Sequence, residues 1–266
     1  MMPRPGSIRL FQWFLHVWVL LFMITSLPAY QTLWMAPLSP ALQAPSLFAP
    51  ITHAFHGWAA GAAPMGVALV IIGAALQLHR PRWYVALVVW SAYVGLMHLA
   101  WLAGSGGQQL IANMLFWNIF LCVGEQAQWR LVPFWIIRCQ LLLAYLATAA
   151  HKSTGGLWLS GEAIGVVASD PHFGGWVFLQ GPLPARISTW LVWLFQCTFP
   201  LAVWSRHLRI PWMIAGIMFH LATAWLLGIP EMAFAFIACY PIWLDEDQAA
   251  RVLKLMRRVR LTGAAR

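Results

Sequence analysis

Between Leu10 and Leu27 the chain runs for 18 residues without an Asp, Glu, Lys or Arg. A helix needs about 20 mostly apolar residues, with a working range of about 17–25, to cross the hydrocarbon core of a bilayer. Seven further mostly apolar runs follow, at 57–78, 83–103, 108–124, 131–150, 187–205, 211–228 and 231–244, the last being the shortest. Pro, Gly and paired charges occupy the breaks between them, as boundaries require. Backbone N–H and C=O groups in hydrocarbon have no water to bond, so spans of this kind must be helical. The expected fold class is therefore all-α, a polytopic membrane helix bundle of about eight transmembrane helices.

Composition agrees. The 266 residues are 61% hydrophobic and 9% charged, against about 45–50% and about 25% in soluble domains. So few charges cannot cover a water-facing surface. The formal charge of +9 would suit a nucleic-acid partner only if it formed a basic face with exposed aromatics. Instead the basic residues sit in the breaks, so nucleic acid is not expected as a partner and membrane lipid is. If both termini are cytoplasmic, the inner segments hold Arg4, Arg9, Arg80, Arg82, Arg130, Arg206 and Arg209, and the tail adds Arg251, Lys254, Arg257, Arg258, Arg260 and Arg266. The outer segments hold only Lys152 and Arg186. The positive-inside rule selects that orientation. Arg4 and Arg9 before the first run resemble a signal peptide, but the run is longer than a usual h-region and no clean A-x-A follows, so it reads as a retained helix.

Residues 1–244 thus read as one multi-pass transmembrane domain and 245–266 as a basic amphipathic cytoplasmic tail. The tail begins with acids and ends with bases, which suits a helix dipole, and its Val252, Leu253, Leu255, Met256 and Val259 suit a helix lying on anionic lipid. Two outer segments, 28–56 and 151–186, are too apolar for free loops and are expected at the interface or folded back into the bundle. Cys122, Cys139, Cys197 and Cys239 all lie in apolar runs with no CxxC pair or metal-ligand spacing, so no metal site is expected. No Walker loop, dinucleotide fingerprint, HExxH or GxSxG is present. There is no internal repeat of the kind a transporter would show.

Polar groups at membrane depth carry the functional information, because hydrocarbon makes them costly. Apart from Lys254 in the tail, Lys152 is the one lysine in the chain. It lies in the stretch Tyr145-Leu-Ala-Thr-Ala-Ala-His151-Lys152-Ser-Thr-Gly-Gly-Leu-Trp158-Leu-Ser-Gly161-Glu162-Ala-Ile. A tyrosine, small residues, a lysine, then Trp-x-x-Gly-x-Ala: this pattern resembles the horizontally transferred transmembrane domain family, which includes the vitamin K-dependent gamma-carboxylase. Phe219-His220 through Gly228, followed by Met232 and Phe234, is similar to the family's paired helices. So are the Arg80/Arg82 break and Leu115-Phe-Trp-Asn-Ile-Phe-Leu121. The resemblance covers most of the chain.

The resemblance implies that Lys152 is the catalytic base, that Trp158 belongs to the site wall, and that a reduced, vitamin K-like quinone is the cofactor. Three departures stand beside it. Asn113 lacks a following His, Gln196 sits where many relatives carry an acid, and the carboxylase's long lumenal region is missing.

Depth alone groups a wider set in the extracytoplasmic half: His98, His220, Asn113, His53 and His56 with Lys152. Each has a plain alternative. A lysine at a run end can snorkel to headgroups, and a histidine can bridge helices. Lys152, His220 and His98 are the catalytic candidates; Trp158, Tyr145, Asn113 and His151 are the substrate-binding ones. Arg138, inside the fifth run, reads as structural, pairing with Glu125 or capping carbonyls. A lysine used as a base must be able to lose its proton near neutrality, which desolvation permits and a close carboxylate opposes. Neither Glu162 nor Asp170 is therefore expected to pair with Lys152.

The expected function is an integral membrane enzyme of quinone-dependent, carboxylase- or epoxidase-like (lyase) type, acting on a peptide or small substrate at the outer side of a bacterial inner (plasma) membrane. The alternative is a non-enzymatic membrane protein for peptide maturation, export or immunity. The charge asymmetry places 151–186 outside. A cysteine introduced near Asp170 should therefore react with a membrane-impermeant reagent in intact cells, and protection there would reverse the orientation.

Overall fold

A computed structural model describes residues 5–35, 49–100, 103–123, 127–173 and 176–263, with the backbone alone at 49–60, 127–128 and 257–263. No strand occurs among the described residues; every regular element is helical. Four helical stretches are long and apolar enough to cross a membrane, Pro5–Ala29, Gly61–His79, Trp129–Thr154 and Arg209–Leu227, and Trp83–Leu99 is apolar but shorter. Each of the eight apolar runs falls on a helix. The eighth is a helix of only ten residues, Pro230–Cys239, closed by a 3-10 turn over Tyr240–Trp243. Ten residues rise about 15 Å, roughly half of a hydrocarbon core of about 30 Å.

The chain divides into two compact units, Met1–Phe134 and Trp135–Arg266. The first holds α1 (Pro5–Ser26), α2 (Ala49–His79), α3 (Trp83–Leu99) and α4 (Gly106–Leu121). Each packs on the next, and α4 also packs on α1. Their inward residues recur every three or four positions, as a helix face requires: Leu15, Val19 and Met23 on α1, and Ala86, Val89, Tyr93 and Leu96 on α3 are all buried. The outward face is apolar too, with Met65, Leu69, Ile72 and Leu76 of α2 exposed. A helix that is apolar all round suits a membrane span or a buried core. The α2–α3 turn is tied by the Gln77 amide, which donates to the Arg82 carbonyl at 2.6 Å and accepts from the Arg82 N–H at 3.2 Å. At the start of α4 the Ser105 N–H donates to the Gln108 Oε1 at 2.7 Å, the Gln half of a capping box.

The long α5 (Ala127–Thr154) crosses the division between the units. After it come three short helices, α6 (Gly156–Ser160), α7 (Ala163–Ser169) and α8 (Val177–Gln180). Then follow α9 (Pro182–Ala202), α10 (Arg209–Leu227), α11 (Pro230–Cys239) and α12 (Glu246–Gly263). The segment 151–186, expected to fold back or lie at an interface, folds back: α6, α7 and α8 all pack on α9. The Ile164 N–H donates to the buried Thr189 hydroxyl at 3.0 Å, and Gly161, at φ +85°, ends α6 against Arg186. That φ is in the left-handed region where glycine carries no Cβ penalty.

Two buried arginines tie this unit's breaks. Arg138 on α5 donates from Nε and Nη2 to the Ile242 carbonyl at 3.1 and 2.8 Å, and its guanidinium lies 5.3 and 4.7 Å from the Trp135 and Trp243 ring centres. Arg138 therefore caps a carbonyl, one of its two expected structural roles; Glu125, the other expected partner, lies outside the described residues. Arg209 donates to the Val203 carbonyl at 2.9 Å and reaches Asp245 at 4.0 Å.

Close helix packing in the first unit depends on Gly73. A Cβ there would overlap Cγ2 of Val89 on α3. Gly73→Val is expected to destabilise the unit by about 1–3 kcal/mol through overpacking, read as a lower Tm in detergent. Adding Val89→Ala should restore most of the loss, and a double variant no better than the single one would show that the two residues do not meet.

Candidate functional site

Helix α5 carries a polar side chain every seventh residue: Arg138, Tyr145 and Lys152. Seven residues are almost two helical turns, so the three stand on one face with little drift and about 10 Å of rise between neighbours. Each bonds to a different element. Arg138 holds the 3-10 turn. Tyr145 engages α10 and that same turn, and Lys152 engages α9.

The Tyr145 hydroxyl lies 2.7 Å from His220 Nε2 and 2.6 Å from the Tyr240 hydroxyl. All three residues are buried. The Tyr145 ring lies 4.2 Å from that of Phe199, centre to centre, and His220 stacks on Phe236 at 4.8 Å. Tyr240 reaches this position because Gly216 leaves α10 bare beneath it: a Cβ at 216 would stand 2.8 Å from the Tyr240 Cζ. His220 Nδ1 is buried and has no hydrogen-bond partner among the described residues. A buried unpaired polar atom costs about 1–3 kcal/mol.

Two turns along α5, the half-buried Lys152 points its Nζ at α9, donating to the Gln196 Oε1 at 2.7 Å. Gln196 is itself buried. The ammonium also lies 4.3 Å from the centre of the Trp158 ring, a cation–π distance. The chain break after α5 makes this possible. The Gly155 N–H bonds the Lys152 carbonyl at 3.2 Å, and a Cβ on Gly155 would sit 3.2 Å from Trp158 Cδ1. The next residue, Ser153, receives the Trp193 Nε1–H at 2.9 Å.

Among the described residues no carboxylate pairs with Lys152. Glu162 is exposed, and Asp170 turns instead to His172, whose backbone N–H and ring nitrogen both lie 2.9 Å from Oδ1. The backbone hydrogen bond from His172, reinforced by its ring, holds the Asp170 carboxyl below the usual carboxylate range. A lysine held by a neutral amide and an indole face is cationic only by its own basicity, since nothing anionic fixes its proton.

Within the second unit the expected site residues form two contacts. Lys152 meets Trp158, and Tyr145 meets His220, on one face of α5. His151, exposed, points to another side of that helix. His98 and Asn113 belong to the first unit; both are exposed, and the Asn113 amide donates to the Gln109 carbonyl at 3.2 Å. The side chains of His53 and His56 lie outside the described residues. Tyr240 is an unforeseen member: nothing in its local sequence separates it from the other tyrosines, because it enters through packing against Gly216. Gln196, singled out in the sequence only through the family resemblance, is the acceptor for Lys152. Among the described residues no three metal-ligating groups gather. Compared with protein-family models, with curated proteins and with solved structures, the chain matches none.

Tyr145→Phe removes the hydroxyl shared by His220 and Tyr240 and is expected to cost about 1–3 kcal/mol, the range for stranding a buried polar group. Gly216→Ala should cost a similar amount by displacing Tyr240. If both act on one network, the double variant will be less destabilised than the sum of the two in detergent unfolding; strict additivity would separate them.

Proposed function

We propose that the chain is an integral membrane enzyme that uses Lys152 as a general base at the extracytoplasmic side of a bacterial inner membrane. Its substrate partner is a lipid-soluble hydroquinone. The observation that carries this reading is the setting of the Lys152 amine: turned inward onto the buried Gln196, under the Trp158 ring, with no carboxylate partner among the described residues. A lysine serving only as an interfacial charge would extend toward headgroups and water.

Membrane residence is supported by the four apolar helices and by the apolar residues they expose, such as Ile214, Met218 and Trp225 on α10. The full proposal takes α1 to α5 and α9 to α11 as eight spans with both termini cytoplasmic, following the charge asymmetry. It includes membership of the horizontally transferred transmembrane domain family and likeness to the membrane core of the vitamin K-dependent gamma-carboxylase, on the Lys152 and His220 stretches.

The donor set fits a hydroquinone. A neutral amine can accept a proton from a phenolic hydroxyl, and a lysine can be made neutral only where no anion stabilises its charge. When bound, a reduced quinone supplies an acidic hydroxyl and reducing equivalents for chemistry with oxygen. The chain's own contribution is the proton transfer, in which the Lys152 Nζ lone pair takes the hydroxyl proton and becomes an ammonium. Gln196 Oε1 and the Trp158 face then hold that ammonium in place. The Tyr145–His220–Tyr240 cluster fixes α10 and the 240–243 turn against the same face of α5.

Lys152→Ala and Lys152→Arg separate base from charge. Both are expected to insert and fold, and both should lose activity, read by mass spectrometry of neighbouring peptides in cells with and without the protein. Guanidinium cannot release its proton at any accessible pH. Full activity in Lys152→Arg would make Lys152 a fixed positive charge and leave the non-enzymatic role in peptide maturation, export or immunity as the standing explanation.

A further inference from the structure

Helix α12 is absorbed by none of the chemistry above. Its first turn is fixed. Asp245 and Gln248 bond each other reciprocally, each backbone N–H donating to the other's side-chain oxygen at 2.9 Å, and Asp245 also meets the buried Arg209 at 4.0 Å. Ala249 is fully buried. One turn later the helix emerges: Arg251 and Lys254 are exposed, and Leu255 is 63% exposed. Val252, Leu255 and Met256 fall in one arc of the helix, and the register continues that arc to position 259. Arg251 and Lys254 fall on an adjoining arc centred about 120° round the helix, and the register adds position 258, a third arginine. After Asp247 the chain has no acid, while Arg257 and Arg260 add further positive charge.

We infer that α12 is a docking surface for anionic phospholipid headgroups, pinned at its N-terminus by Arg209 and Asp245 and laid on the membrane along its exposed length. Charge complementarity selects the partner. Five basic residues between 251 and 260, without an acid, match a phosphate-bearing surface. The apolar arc selects a membrane over a nucleic acid, because it offers aliphatic side chains that enter the headgroup boundary and carries none of the aromatics on which bases stack. The acids sit at the start of the helix and the bases toward its end, an order in which the macrodipole stabilises the helix itself. The inference rests on the membrane reading and is independent of the Lys152 chemistry.

The test uses the full chain with Leu255→Cys, its four other cysteines replaced by alanine, labelled with a polarity-sensitive fluorophore. The protein is placed in nanodiscs of phosphatidylcholine or of phosphatidylcholine enriched in phosphatidylglycerol. Emission is expected to shift to the blue in the anionic discs and to revert at high salt. Arg251→Gln and Lys254→Gln should each weaken the response to phosphatidylglycerol about fivefold, the factor for one basic residue at an anionic surface. Equal emission in both discs would overturn the inference. So would a response to an RNA oligonucleotide in neutral discs with none to phosphatidylglycerol. Failure of the chain to enter discs at all would overturn the membrane reading and this inference with it, whereas a lipid response alongside an active Lys152→Arg variant would leave this inference standing and remove only the base.

Discussion

One face of α5 sets the second unit. Arg138, Tyr145 and Lys152 stand seven residues apart, and each needs a partner because a polar group buried without one is expensive. Arg138 finds the Ile242 carbonyl, Tyr145 finds His220 and Tyr240, and Lys152 finds Gln196. The three bonds fix the 3-10 turn, α10 and α9 against one helix. Apolar contacts between these elements are non-directional and permit several registers. The polar ones have defined distances and angles and select one.

The same constraint sets the surroundings of Lys152. Its acceptor, Gln196, is neutral and buried, and the Trp158 face stabilises a cation without an anion. His220 Nδ1, buried and unpartnered among the described residues, lies on the element that Tyr145 fixes.

Packing supplies what these bonds cannot. Gly73 lets α3 approach α2, Gly216 lets Tyr240 cross α10, and Gly161 takes the positive φ that turns α6 toward α7. At the first two positions a single methyl group would occupy space already filled by Val89 or Tyr240. Interiors are packed closely enough that such a change is felt. The outward faces differ: Leu21, Ile72 and Met218 are exposed and apolar, so they constrain the medium around the helices and not the fit between them.

Sequence by itself determined the helical class, the positions of the apolar runs and the singularity of Lys152; it left 151–186 open between the interface and a fold-back. Each follows from hydropathy and local backbone chemistry, which act over a few turns of chain. The end of α10 at Gly228 was legible for the same reason. What the tertiary structure alone decided is which polar groups meet. It joined Lys152 to Gln196 and Tyr145 to Tyr240, 44 and 95 residues apart, and it assigned His98 and Asn113 to the first unit. Membrane depth groups His98 and Asn113 with Lys152, but depth is one coordinate. A site needs three, and the other two come from helix packing, where a shape as small as the missing Cβ of Gly216 decides which side chain arrives.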